Sequence, residues 1–166
     1  MLNCSLSLHC FKTQTRKKLN KYYLVYASFW IIPCVSVLVF YMIGNIPTAY
    51  NVSRQHLSYN RITVNNCIVL ITIVVGGKIN KLVSWMVFIY NSILFGILFS
   101  MSADMYGIDY AIVHSFIHGP VEVLGLTIGL IVGCEECSKK RFLSLLGLAI
   151  VLILLAAMLE VYAQTI

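Results

Sequence analysis

Residues 111–134 read AIVHSFIHGPVEVLGLTIGLIVGC. The stretch is apolar enough to cross a bilayer, yet it carries His114, His118 and Glu122 with Gly119-Pro120 set between them. An ionisable side chain at membrane depth costs roughly 2.5 to 3.5 kcal/mol on insertion scales, so it normally faces protein, a partner or a water-filled cavity. The rest of the chain is therefore read as the scaffold around this segment.

The composition agrees. Of 166 residues, 60% are hydrophobic and 11% charged, with a mean hydropathy of +0.87, far from globular averages. Four further apolar segments, 22–44, 62–77, 82–103 and 142–162, flank the fourth span at 110–134. The chain thus reads as an all-α, polytopic membrane helix bundle of about five transmembrane helices, residues 22–166, behind a basic arm at 1–21. The second segment is the awkward one: 16 residues make a helix of about 24 Å, short of the roughly 30 Å hydrocarbon core. Asn65-Asn66 open it and Gly76-Gly77 close it. Pro33 should kink the first span. Residues 45–61 form an external loop with room for an interfacial helix.

Charge sets the expected topology. The net charge is +6, but the basic residues fall between apolar segments, which points to topology and anionic lipid and not to a nucleic-acid partner. Lys12, Arg16, Lys17, Lys18 and Lys21 of the arm, Lys78 and Lys81, and Lys139, Lys140 and Arg141 all share one side in a five-span chain; Arg54 and Arg61 take the other. The positive-inside rule then gives N-in, C-out, with the arm against anionic lipid. The six cysteines make no secreted framework and are expected reduced. Cys134-Glu-Glu-Cys137 lacks a second ligand pair for a metal.

His114, His118 and Glu122 recur every four residues, so all three can look into one cavity. Pro120 removes a backbone donor and crowds the carbonyl of Phe116, so the fourth helix is expected to kink or break at Gly119-Pro120. Two imidazoles and a carboxylate suit Zn with a fourth position open to water, although no H-E-x-x-H motif is present. Against that metal or acid-base reading stand two others. In one, His118 and Glu122 bond to each other and to Asn66, Asn91 or Glu160 as bundle glue; in the other, they line an ion, proton or peptide path. Gly125, Gly129 and Gly133 form a face for close helix approach.

Several of these residues also carry a family likeness. IHGPVEVLGLTIGLIVG resembles the His-Gly-x-x-Glu segment of the stage II sporulation protein M family. The likeness continues in order through VNN at 64–66, Gly76-Gly77, NSILFG at 91–96 and AAMLEVYAQT at 156–165, so it covers roughly residues 20–166. Ile117 precedes His118 where the family typically has proline, and Ser92 follows Asn91 where it typically has glycine. In size the chain is similar to the short members that accompany circular bacteriocin biosynthesis. The resemblance implies a bacterial plasma-membrane protein that works with other membrane proteins of one assembly on the maturation or export of a small hydrophobic peptide. If the chain is the maturation enzyme, a peptidase or peptide cyclase, it implies His118 and Glu122 as working residues, with His114 as this sequence's own addition. Zn is then the expected metal, and Asn66, Asn91 and Glu160 are supporting residues. If the chain is a scaffold, the same residues hold its helices in register.

Overall fold

A computed structural model describes residues 22–39, 42 and 58–164. These residues form five helices, each long and apolar enough to span a membrane: α1 (Tyr22–Val39), α2 (Tyr59–Ile79), α3 (Lys81–Tyr106), α4 (Ile108–Cys134) and α5 (Lys139–Ala163). No strand occurs among the described residues. The expected basic arm at 1–21 and residues 45–57 of the expected loop lie outside them.

The helices outrun the apolar segments that mark them. α2 begins at Tyr59 and ends at Ile79, so its 21 residues reach about 31 Å and the expected shortfall disappears. The reason lies in the residues read as its ends. Asn66, Gly76 and Gly77 are buried inside the protein, and Tyr59, Asn60 and Arg61 form the first helical turn. Connections shrink correspondingly. Only Asn80 separates α2 from α3, its side chain accepting from the Leu82 amide at 2.9 Å as an N-cap. Only Gly107 separates α3 from α4, although the apolar segments 82–103 and 110–134 leave residues 104–109 between them. Its φ of +92° is the only positive value among the described residues, a conformation open to glycine. Asp109 then falls in the first turn of α4, where the helix dipole favours a negative charge.

α4 is the central helix. Over its most apolar stretch 56% of the residues are buried, against 17 to 39% for the other four helices. It packs on α2, α3 and α5, and the glycine face lets it do so. A Cβ at Gly133 would lie 2.8 Å from the Ile73 carbonyl oxygen, and one at Gly77 would lie 2.7 Å from the Gly133 carbonyl carbon. A Cβ at Gly129 would collide with Leu70, and one at Gly125 would press on Ile153 at 3.2 Å. The backbones of α2 and α4 thus meet where both lack side chains.

Serine hydroxyls join the remaining helices. Ser84 on α3 donates to the Ile73 carbonyl on α2 at 2.7 Å, and Ser92 donates to the Phe29 carbonyl on α1 at 2.6 Å, both buried. The second bond has a specific cause. Pro33 lies inside α1 and has no N–H to give the carbonyl four residues back, which is that of Phe29. Ser92 supplies the missing donor, the usual way a membrane helix tolerates proline. Phe29 itself is 2% exposed and meets Phe88 edge-on at 5.2 Å, while Trp30 stacks on Phe116 of α4 at 5.9 Å.

Antiparallel neighbours place the described charges at two ends. Lys78, Lys81, Lys139, Lys140 and Arg141 stand at the end where α2 and α4 finish, and Arg61 at the other. At the basic end Tyr22 donates to the Glu135 carboxylate at 2.9 Å, and Lys78 donates to the Glu135 backbone carbonyl at 2.9 Å while lying 5.4 Å over the Phe142 ring.

Candidate functional site

A cavity of about 800 Å³ opens on the opposite half of the bundle, lined by α2, α3, α4 and α5 together with Phe29 of α1. Much of its wall is apolar, from Phe29, Phe95, Leu98, Val123 and Leu126. Into this wall are set His118 and Glu122 from α4, Glu160 from α5, Asn65 and Asn66 from α2 and Asn91 from α3.

Three of these side chains converge. His118, Glu122 and Glu160 each offer one ligand atom, and these atoms lie within 4.8 Å of one another. Helix register brings them together. Gly125 of α4 rests on Ile153 of α5. Seven residues, about two turns at 3.6 per turn, lead from Gly125 back to His118, and the same seven lead from Ile153 on to Glu160. Since the two helices run antiparallel, both steps go toward the same end. Glu122 stands one turn from His118 on the same face.

Electrostatics make this an unusual arrangement. Two unit charges 4.8 Å apart repel by about 3.5 kcal/mol at an effective dielectric of about 20, so an ionised Glu122–Glu160 pair calls for a positive partner at this spacing. His118 is 9% exposed, and its buried Nδ1 has no hydrogen-bond partner among the described residues. Leaving such an atom unpaired costs roughly 1 to 3 kcal/mol. The group thus combines two carboxyl groups that would need a positive partner to be ionised together with an imidazole nitrogen that has no partner of good geometry among the described residues.

The helix that carries it differs from one expectation. α4 continues without a break through Gly119-Pro120, with Pro120 inside it, so the alternative of a fresh helix starting at the proline is not realised. Gly119 is buried, and a Cβ there would meet Phe95 at 3.2 Å, so the two aromatic rings of α1 and α3, Trp30 and Phe95, close over this turn. Tyr26 of α1 reaches the Pro120 carbonyl at 3.5 Å.

The other sequence candidates lie around the cluster. His114 is outside the three-residue group; its ring packs between Tyr110 at 5.5 Å and His118 at 5.6 Å, edge-on to the latter. Asn91 donates to Val87 of its own helix at 2.8 Å, so the expected bond to another helix is not made by that amide group. Asn65 donates to Asn66 at 3.4 Å. The buried interhelical bonds come instead from Ser84 and Ser92; in the sequence, the signal for Ser92 is a hydroxyl on another span available to the carbonyl that Pro33 leaves unpaired. Cys134 and Cys137 are free thiols at the basic end, and among the described residues they join no group with metal-ligand spacing. Comparison of the chain with protein-family models, curated proteins and solved structures finds no match.

Proposed function

We propose that the chain is a multi-pass subunit of a bacterial plasma-membrane assembly that matures or exports a small hydrophobic peptide, and that the cavity is where it engages that peptide. The observation that carries the reading is the convergence of His118, Glu122 and Glu160 in the wall of a membrane-embedded, largely apolar cavity. An apolar wall suits a hydrophobic segment, and a few convergent polar groups supply orientation or chemistry. A purely structural role fits the cluster less well. Glue residues would bond to one another, whereas His118 Nδ1 has no partner of good geometry among the described residues and the Asn91 amide turns to its own helix. The resemblance of the histidine-to-glutamate segment to the sporulation protein M family supports the peptide-assembly setting.

Within that setting a catalytic part, as peptidase or peptide cyclase, is favoured by the same three side chains. Carboxylates and an imidazole can serve either as acid–base groups or as ligands of a metal ion that activates water. The test is the native assembly, purified with its partners and incubated with its precursor peptide. The expected outcome is a change in peptide mass that is lost with Glu122→Gln while the assembly stays intact. An unaltered peptide that also fails to bind the intact assembly contradicts the reading.

A further inference from the structure

We infer that His118, Glu122 and Glu160 bind one divalent transition-metal ion of the zinc class. This goes beyond the peptide reading and does not rest on it. The first ground is geometry: one imidazole nitrogen and two carboxylate oxygens from α4 and α5 lie within 4.8 Å of one another, so small side-chain rotations bring them to the roughly 3.3 to 3.6 Å that separates ligands held about 2.0 to 2.2 Å from a tetrahedral centre. The second ground is independent of the carboxylates. The His118 ring is buried and lines the cavity, and its Nδ1 makes no hydrogen bond of good geometry among the described residues, so the ring is not committed to a strong protein partner at that atom.

Charge points the same way. Arg61 is the only Lys or Arg among the described residues lining the cavity, so it balances at most one of the two carboxylates. A divalent ion balances both. Mixed imidazole and carboxylate donors favour zinc-like ions over calcium or magnesium, which take oxygen donors in greater number. Three protein ligands leave a fourth tetrahedral position to water or substrate. The set differs from the one read in the sequence, with Glu160 in place of His114. His114 packs against His118 and so orients the ligand without being one.

The experiment uses the full-length, untagged chain in lipid nanodiscs, stripped with chelator and titrated with Co²⁺, then with Zn²⁺. The expected result is one Co²⁺ per chain, a visible ligand-field spectrum without a thiolate charge-transfer band, and displacement by Zn²⁺. His118→Gln, Glu122→Gln and Glu160→Gln should each weaken binding by about 100-fold or more, beyond the loss typical of residues that only orient ligands. His114→Gln, which removes only an orienting contact, should cost no more than about 10- to 100-fold, and the double variant Cys134→Ser/Cys137→Ser should bind as the unaltered chain does. Helicity and gel filtration monitor the fold, and if one ligand variant fails to fold the other two carry the test. The inference is overturned by absence of stoichiometric binding, by full binding in Glu160→Gln, or by loss of binding in the cysteine variant. Peptide processing by a metal-free assembly would overturn nothing in the peptide reading, so the two claims fail separately.

Discussion

Pro33 and Ser92 illustrate how single residues hold this bundle. Pro33 orphans the Phe29 carbonyl, and the Ser92 hydroxyl recovers it at 2.6 Å from another helix. Ser92→Ala should therefore destabilise the protein by about 1 to 2 kcal/mol, the range for a buried group left unpaired in a membrane protein. Adding Pro33→Ala should return most of that loss, because an alanine amide at position 33 closes the normal helical bond to Phe29. Unfolding in mixed detergent and denaturant reads both. Equal stability of the serine variant and its double partner contradicts the account. At this scale the sequence was only partly legible. His118 and Glu122 are visible as a pair because four residues is one helical step. Glu160 is not, because its place depends on how α5 lies against α4. That register is fixed by the contact of Gly125 with Ile153, which periodicity within one helix cannot reveal.

Among the elements, α4 decides the architecture through its glycine face. The least forgiving approaches involve backbone atoms, Gly77 against the Gly133 carbonyl carbon and Gly133 against the Ile73 carbonyl oxygen. Neither neighbour is a flexible side chain that could swing aside. Gly77→Ala and Gly133→Ala should each cost about 1 to 3 kcal/mol, as overpacking does. Gly129→Ala should cost less, since the obstacle there is the end of the Leu70 side chain. Gly147→Ala, with open space around the added carbon, should be neutral or gain up to about 1 kcal/mol of helix propensity. Thermal inactivation of the purified variants gives the order, and a Gly133→Ala protein as stable as the Gly147→Ala one contradicts it. The five spans were readable because each contains an apolar run of membrane length. Their ends were not, because hydropathy marks the lipid-facing part of a helix while hydrogen bonding carries it further. Lys139 to Arg141 and Tyr59 to Arg61 are helical although polar. The buried pairs at Asn65-Asn66 and Gly76-Gly77 resemble helix ends in sequence, and the packing uses them as contact surface.

For the whole molecule, the two ends differ in charge, and the positive-inside rule assigns the end bearing Lys78, Lys81 and Lys139 to Arg141 to the cytoplasm. The cavity, in the half toward Arg61 and Gly107, then faces the outer leaflet. In a cysteine-free background, Asp104→Cys should react with a membrane-impermeant maleimide in intact cells, and a cysteine restored at position 137 only after permeabilisation. The reverse pattern contradicts the orientation. On the proposed function this arrangement would give a peptide-handling subunit a working cavity within the bilayer, with α2 and α3 in its wall and its polar cluster from α4 and α5. Its central claim is that side chains from two helices act as one site. The most direct test is processing of the precursor peptide by intact assemblies carrying Glu122→Gln, Glu160→Gln or both. Residues that work as a unit are strongly non-additive, so the account predicts that each single variant loses nearly all turnover and the double variant loses no more. Losses that multiply, or a Glu160→Gln assembly as active as the unaltered one, would contradict it.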